Sequence, residues 1–382
     1  MKTLWLDLET YSEHPLANGL YAYAYHPSTE ITLFAYAIDT APAAVWDVAS
    51  GAPCPPDLAA ALQDAGVDLV AHNAAFDRTL LHAVQGLAAP ITRWRCTMAQ
   101  ALAHSLPGGL EALCGILGIS EDQAKAKDGR ALVMLFCKPR PGTVTPRRAT
   151  QFTHPEQWRR FQEYARLDVE AMRAIRGKLP TWNYTGVELD LWHLDQVIND
   201  RGFQVDVDLC RSAIAACNAE QTRLAALTST LTDGEVGSAT QRDKLLAYVL
   251  EEHGIALPDM RSSTLERRIE DPDTSAALRE LLAVRLESTT TSTRKYGKFM
   301  SCVSSDGRMR GTAQFCGAMR TGRWAGRVVQ PQNYPRPTMS AADIDAGIDA
   351  LKSGAGHLVL DSVIQTASNA LRGTIVDRKS VV

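Results

Sequence analysis

Apolar and acidic residues alternate in Leu4-Trp5-Leu6-Asp7-Leu8-Glu9-Thr10, which predicts a buried strand near the start of the chain. Further strands are expected at 31–38 and 43–48, joined by a short link that favours antiparallel neighbours, and at 68–71, ending at His72-Asn73. Helical spacing follows from Asp57, at 74–84 and at 110–117, with Gly118 as a stop. The basic, proline-bearing stretch 125–148 reads as loop around one short helix at 131–136, and Pro155 opens a longer helix over 156–178. Strands mixed with helices in this order predict an α/β domain over residues 1–178. Helical periodicity at 184–199, 206–231, 241–252 and 276–300 then predicts an α-rich domain over 179–304. From 305 to 382 the pattern changes again, to a turn and strand at 306–315, a Gly/Arg-rich passage, and helices at 341–352 and 359–375.

With 382 residues, 45% hydrophobic and 22% charged, the chain has room for two or three domains with real cores. Eight scattered cysteines form no C-x-x-C pair and no dense framework, which points to a reduced, cytoplasmic setting and away from structural zinc. The first apolar run is broken at Asp7, and no later segment reaches the length of a membrane span.

Asp7 and Glu9 are two apart, so an extended backbone turns both carboxylates to one face of the sheet. Like charges between apolar neighbours repel and are poorly solvated; an exposed edge strand would carry them to water, and a divalent cation would hold them together. Asp77, on the first turn of the helix after the fourth strand, can point back at the strand terminus, and Asp168 lies on the 156–178 helix. Four acids from three separated elements, meeting at the end of a sheet, suit two Mg²⁺ or Mn²⁺ ions, the chemistry of in-line displacement at phosphorus. Tyr164 stands four residues before Asp168, on the same helix face, where its hydroxyl would orient an attacking water more readily than deprotonate it. Asn73 and Phe76 suit a substrate wall, one for a polar contact and one for stacking. His72 at the strand end reads as a structural, hydrogen-bonded residue.

Leu6-Asp-Leu-Glu9-Thr, Asn73-Ala-Ala-Phe76-Asp77 and Tyr164-Ala-Arg-Leu-Asp168-Val resemble the three exonuclease motifs of the DEDD superfamily, in order. The tyrosine at 164 makes the set similar to the DEDDy branch, the kind fused to proofreading DNA polymerases. The resemblance implies an RNase H-like fold and removal of nucleotides from a 3′ end.

Between Arg285 and Arg336 the chain holds ten Arg or Lys against two acids, although its formal net charge is -3. That local excess is a footprint for a polyanion, with hydroxyls at 288–293, glycines at 311, 317, 322 and 326, and flat surfaces expected from Phe315 and Trp324. Asp306-Gly-Arg-Met-Arg-Gly, Gly317-Ala-Met-Arg-Thr-Gly-Arg-Trp-Ala-Gly-Arg327 and Gln330-Pro-Gln-Asn-Tyr-Pro-Arg336 closely resemble the thumb-to-palm passage of phage-type family A DNA polymerases. Arg201-Gly-Phe-Gln-Val-Asp206 and Lys295-Tyr-Gly-Lys298 resemble the thumb's entry and long helix. The resemblance implies DNA contacts, with primer-template or a single-stranded 3′ end, at Lys298, Arg320, Thr321, Arg323, Gln330, Gln332 and Asn333.

The chain is therefore expected to be an RNase H-like exonuclease domain, a helical thumb and the incomplete start of a palm. Asn369-Ala-Leu-Arg-Gly-Thr-Ile-Val376 looks like the lead-in to the palm's first catalytic strand, yet no palm aspartate follows. Asp361 reads as helical and Asp377 falls in the final turn, so neither offers the carboxylate pair that nucleotide addition needs. Three readings follow: a 3′ to 5′ exonuclease with an attached DNA grip, a DNA-binding remnant without catalysis, and one half of a split polymerase completed by another polypeptide.

Overall fold

The computed structural model describes residues 2–119, 129–288 and 293–376. They pack as two units, Met1–Gly202 with Arg310–Val328, and Phe203–Met309 with Val329–Val382.

The first unit is built on a five-stranded sheet of β1 (Lys2–Tyr11), β2 (Glu30–Ile38), β3 (Ala44–Asp47), β4 (Val67–Ala71) and β5 (Trp94–Cys96), in the order β3-β2-β1-β4-β5. β1 is antiparallel to β2 and parallel to β4, and β5 continues the parallel half. Its helices are α1 (Leu20–Ala24), α2 (Pro56–Gln63), α3 (Ala74–Gln85), α4 (Thr97–Ala103), α5 (Leu110–Ile116), α6 (Gly129–Phe136), α7 (Pro155–Lys178) and α8 (Val187–Arg201). The period-2 alternation of β1 sorts its side chains between two cores. Leu4, Leu6 and Leu8 enter the core that contains Leu58 of α2 and Leu80 of α3. Trp5 packs on the opposite core, formed by Phe161, Ala165, Val169 and Met172 of α7. Each fully buried leucine stabilises the sheet by about 1.5–3 kcal/mol, which fixes the register and with it the face that Asp7 and Glu9 occupy.

Expected strands and helices correspond closely in this unit, with α1, β5 and α4 as additions. The expected helical domain begins at 179, but α8 packs with the sheet. Trp192 joins the β1 core, and Arg78 of α3 pairs with Asp200 at 2.6 Å. The hairpin formed by Ala313–Ala318 and Arg323–Gly326 joins this unit too, since Phe315 and Cys316 enter the same core.

The second unit holds α9 (Val207–Leu231), α10 (Arg242–His253), α11 (Ser262–Glu270), α12 (Ala276–Ser288), α13 (Arg294–Cys302), α14 (Ala341–Lys352), α15 (Gly356–Val359) and α16 (Val363–Ala370). Leu245, Val249, Leu265, Leu278 and Leu282 form one of its cores. The stretch 276–300, expected as one helix, is described as α12 and α13, with 289–292 outside the described residues. Asp361, expected within a helix, lies instead in a bend between α15 and α16, because Ser362 caps α16 by accepting from Gln365 N–H. The expectation for Asp377 lies outside the described residues.

Candidate active site

One ligand oxygen from each of Asp7, Glu9 and Asp168 lies within 4.8 Å of the other two. β1 supplies the first pair from one face, opposite Ala35 and Leu33 of β2, and α7 crosses that same face to bring Asp168. The register shift directly after Glu9 ends the regular pairing at this point. Asp77 stands beside the trio without joining it. Only 2% exposed, it accepts a hydrogen bond from Leu8 N–H at 3.1 Å, so the first turn of α3 does reach back to β1. Burial, and then the Asp7 carboxylate, hold its carboxyl well above the usual range, opposed by the backbone N–H groups of Leu8 and Asp77 itself. This crowding of hard oxygen donors in a partly buried place fits Mg²⁺ or Mn²⁺. A cation removes the repulsion that otherwise destabilises it.

Tyr164, one turn before Asp168 on α7, is 4% exposed and hydrogen-bonds to the Asp168 carboxylate. Burial raises its phenol far above the ordinary value, and Asp168, Glu9 and Asp7 raise it further, so it stays protonated. Its ring stacks on Phe161 at 6.2 Å and rests against Gly129 of α6, where an added Cβ would lie 2.2 Å from ring carbon Cε2. Cys137 Sγ lies 3.5 Å from Glu9 Oε2. Neither Gly129 nor Cys137 carries a sequence signal, since both fall in a stretch read mainly as loop. Asn73 adopts a left-handed backbone (φ 67°) at the junction of β4 and α3, with an exposed side chain, and Phe76 packs 6.1 Å from Tyr23. His72 bonds Thr97 Oγ1 and Gly108 O, each at 2.8 Å, as a structural histidine does.

No protein-family model matches the chain. A DNA polymerase of Bacillus phage SP02 is 38% identical over 358 residues, which are 93% of this chain and 54% of that protein. The chain is related to phage-type family A DNA polymerases. It spans about half the length of the phage relative. Among solved structures, the polymerase domain of Pol1 from M. smegmatis, in complex with DNA primer-template and dNTP, is similar in fold. It is 16% identical with a TM-score of 0.57, over 90% of this chain and 53% of that one.

The residues that the polymerase resemblance links to DNA divide between the two units. Arg320, Thr321 and Arg323 are exposed on the 313–326 hairpin of the first, which Gly317 tightens: a Cβ there would lie 2.8 Å from that of Ala325. Lys298, Gln330, Gln332 and Asn333 belong to the second, where Asn333 donates to Gln330 Oε1 at 2.7 Å and accepts at its carbonyl from Lys295 at 3.2 Å. Part of the basic excess is structural. Arg285 is 8% exposed and donates to Ala239 O at 2.6 Å, and Arg310 donates to Asp200 O at 2.7 Å. Phe315, expected as a flat surface for DNA, is instead 3% exposed, because the period-2 hairpin turns it into the core; Trp324 is 39% exposed. Of the hydroxyls at 288–293, Ser288 is buried and bonds Val284 O, and 289–292 lie outside the described residues.

Proposed function

We propose that the chain is a metal-dependent 3′ to 5′ exonuclease of the DEDDy type on an RNase H-like domain, joined to a thumb-like DNA grip and palm-like residues. The observation that carries this reading is the convergence of Asp7, Glu9 and Asp168 from two elements, with Asp77 and Tyr164 against them. Two Mg²⁺ or Mn²⁺ ions would be held by Asp7, Glu9, Asp77 and Asp168. When bound, such ions make water a better nucleophile and neutralise charge building on the phosphate and the leaving 3′ oxygen. The remaining work falls to the chain. Tyr164, kept protonated and held against Asp168, orients the attacking water by hydrogen bonding. Asn73 contacts the terminal nucleotide and Phe76 packs on its base. Lys298, Arg320, Thr321, Arg323, Gln330, Gln332 and Asn333 contact the backbone of primer-template DNA, fixing its position without reading sequence.

Among the described residues, Asp7, Glu9 and Asp168 form the acidic group on which this reading rests. The test is a 5′-labelled single-stranded oligonucleotide. Shortening one nucleotide at a time with Mg²⁺ or Mn²⁺, abolished by Asp7→Ala, is the expected result. DNA binding without shortening would leave a DNA-binding module in its place.

A further inference from the structure

α6 reaches the surroundings of the carboxylate centre from both of its ends. Gly129, its first residue, meets the Tyr164 ring, and Cys137, directly after its last, meets Glu9. A helix of this length, about 12 Å, behaves as one rod, so the two contacts are set together. Phe136 fixes the far end of that rod. It is 1% exposed, stacked on Phe161 at 5.1 Å and edge-on to Trp158 at 5.0 Å, which ties α6 to the helix that carries Tyr164 and Asp168. Cys137 follows at once. Its N–H donates to Val133 O at 2.9 Å, and its thiol donates to Glu9 Oε2 at 3.5 Å. The backbone N–H of Thr10, at the register shift of β1, interacts with the same sulfur. The thiol thus links the Glu9 side chain to the backbone immediately beyond it. Cys137 is 9% and Glu9 8% exposed, so water competes little for this contact.

We propose that Cys137 is a positioning residue: its S–H holds the Glu9 carboxylate in the rotation that groups it with Asp7 and Asp168, ready for a divalent ion. The inference rests on the reading of these carboxylates as an ion site. A carboxylate that turns freely about its last bond presents its oxygens in many directions, and a donor on one of them removes that freedom before the ion arrives. Carboxylates that bind metals are oriented by hydrogen-bonding partners of this kind, whose loss typically costs ~10–100-fold in metal affinity. A thiol is a weak donor, which puts Cys137 at the lower end of that range. A residue there for packing alone would fill the same space without acting on the ion.

Titration of the full chain with Mn²⁺, followed by electron paramagnetic resonance in the absence of DNA, separates the two roles. Cys137→Ala is expected to weaken Mn²⁺ binding about tenfold, and Cys137→Ser, which keeps a donor, to stay within about threefold of the wild type. Equal affinity in Cys137→Ala overturns the proposal, and so does a serine variant as weak as the alanine one, since then the donor is not what matters. A second reading, on the unaltered chain, covers the case in which the alanine variant folds poorly. A cation draws charge from the Glu9 oxygens and weakens the S–H bond to them, so Mg²⁺ should shift one S–H stretching band in the infrared difference spectrum, a band that Cys137→Ser lacks. No shifted band, or one that persists in Cys137→Ser, refutes the contact. A wild type that binds no Mn²⁺ brings down the ion centre itself, whereas tight binding indifferent to residue 137 removes only the thiol's part.

Discussion

Tyr164 illustrates how a side chain is assigned work by its neighbours. A phenol raised by burial and by three carboxylates cannot serve as a base near neutral pH, so the part proposed for it is to donate and orient. Tyr164→Phe removes one oxygen from a buried ring and keeps its packing. Single-turnover digestion is expected to slow by about 10²-fold with little change in DNA affinity, the cost of misorienting the attacking water. An unchanged rate would dismiss the orienting role. Asp195 allows a prediction of the opposite kind. Burial chiefly raises it from 3.8 to about 7, against the donors Asn199, Gln196 and Phe315 N–H and the charge of Arg78. The folded chain therefore holds a proton that the unfolded chain releases, so stability falls as pH rises from about 4 to about 7 and stays reduced above. The slope approaches about 1.4 kcal/mol per pH unit within that window. Asp195→Asn abolishes this dependence, so urea unfolding followed by tryptophan fluorescence should show the variant gaining on the wild type from pH 5 to pH 8. A constant difference would contradict the assignment. At this scale the sequence was informative wherever spacing decides direction: the i, i+2 acids of β1 and the i, i+4 pair of α7 both point where an ideal strand and helix send them. Cys137 beside Glu9 was not legible, since nothing local aims a loop-end thiol at a residue 128 positions away.

Elements transmit the geometry that residues use. α6 meets Tyr164 through Gly129, which has no room for a methyl group. Gly129→Ala is expected to push the ring off Asp168 and lower digestion as Tyr164→Phe does, while DNA affinity remains; equal activity would show that α6 yields freely. The long, strongly periodic segments, β1, β2, α7 and α9, were readable because burial on one face imposes a period on the sequence. β5 was not, since three residues, Trp94-Arg95-Cys96, are too few to show alternation. The allegiance of α8 was hidden for another reason: its helical period is plain, but which core takes Trp192 is a tertiary matter. Phe315 was misread in the same way, an aromatic among arginines that the hairpin turns inward.

For the whole molecule, charge placement matters more than the formal total of -3. Exposed Arg320 and Arg323 should each contribute a phosphate contact, so DNA affinity falls steeply with salt. The double variant Arg320→Ala/Arg323→Ala should lower the log–log salt slope by about 2, uniformly across sequences. A slope equal to that of the wild type would remove the hairpin from the DNA interface. Buried Arg285, counted among the basic residues from composition alone, should contribute nothing to that slope. The proposed nuclease requires that carboxylates from β1, α3 and α7 act together as one ion-binding centre. Titrating the chain with Mn²⁺ and counting bound ions by electron paramagnetic resonance reads that directly. Two ions per wild-type chain, with fewer in Asp7→Ala and in Asp168→Ala, is the predicted result; a wild type that binds none, or variants that bind as many, would contradict it.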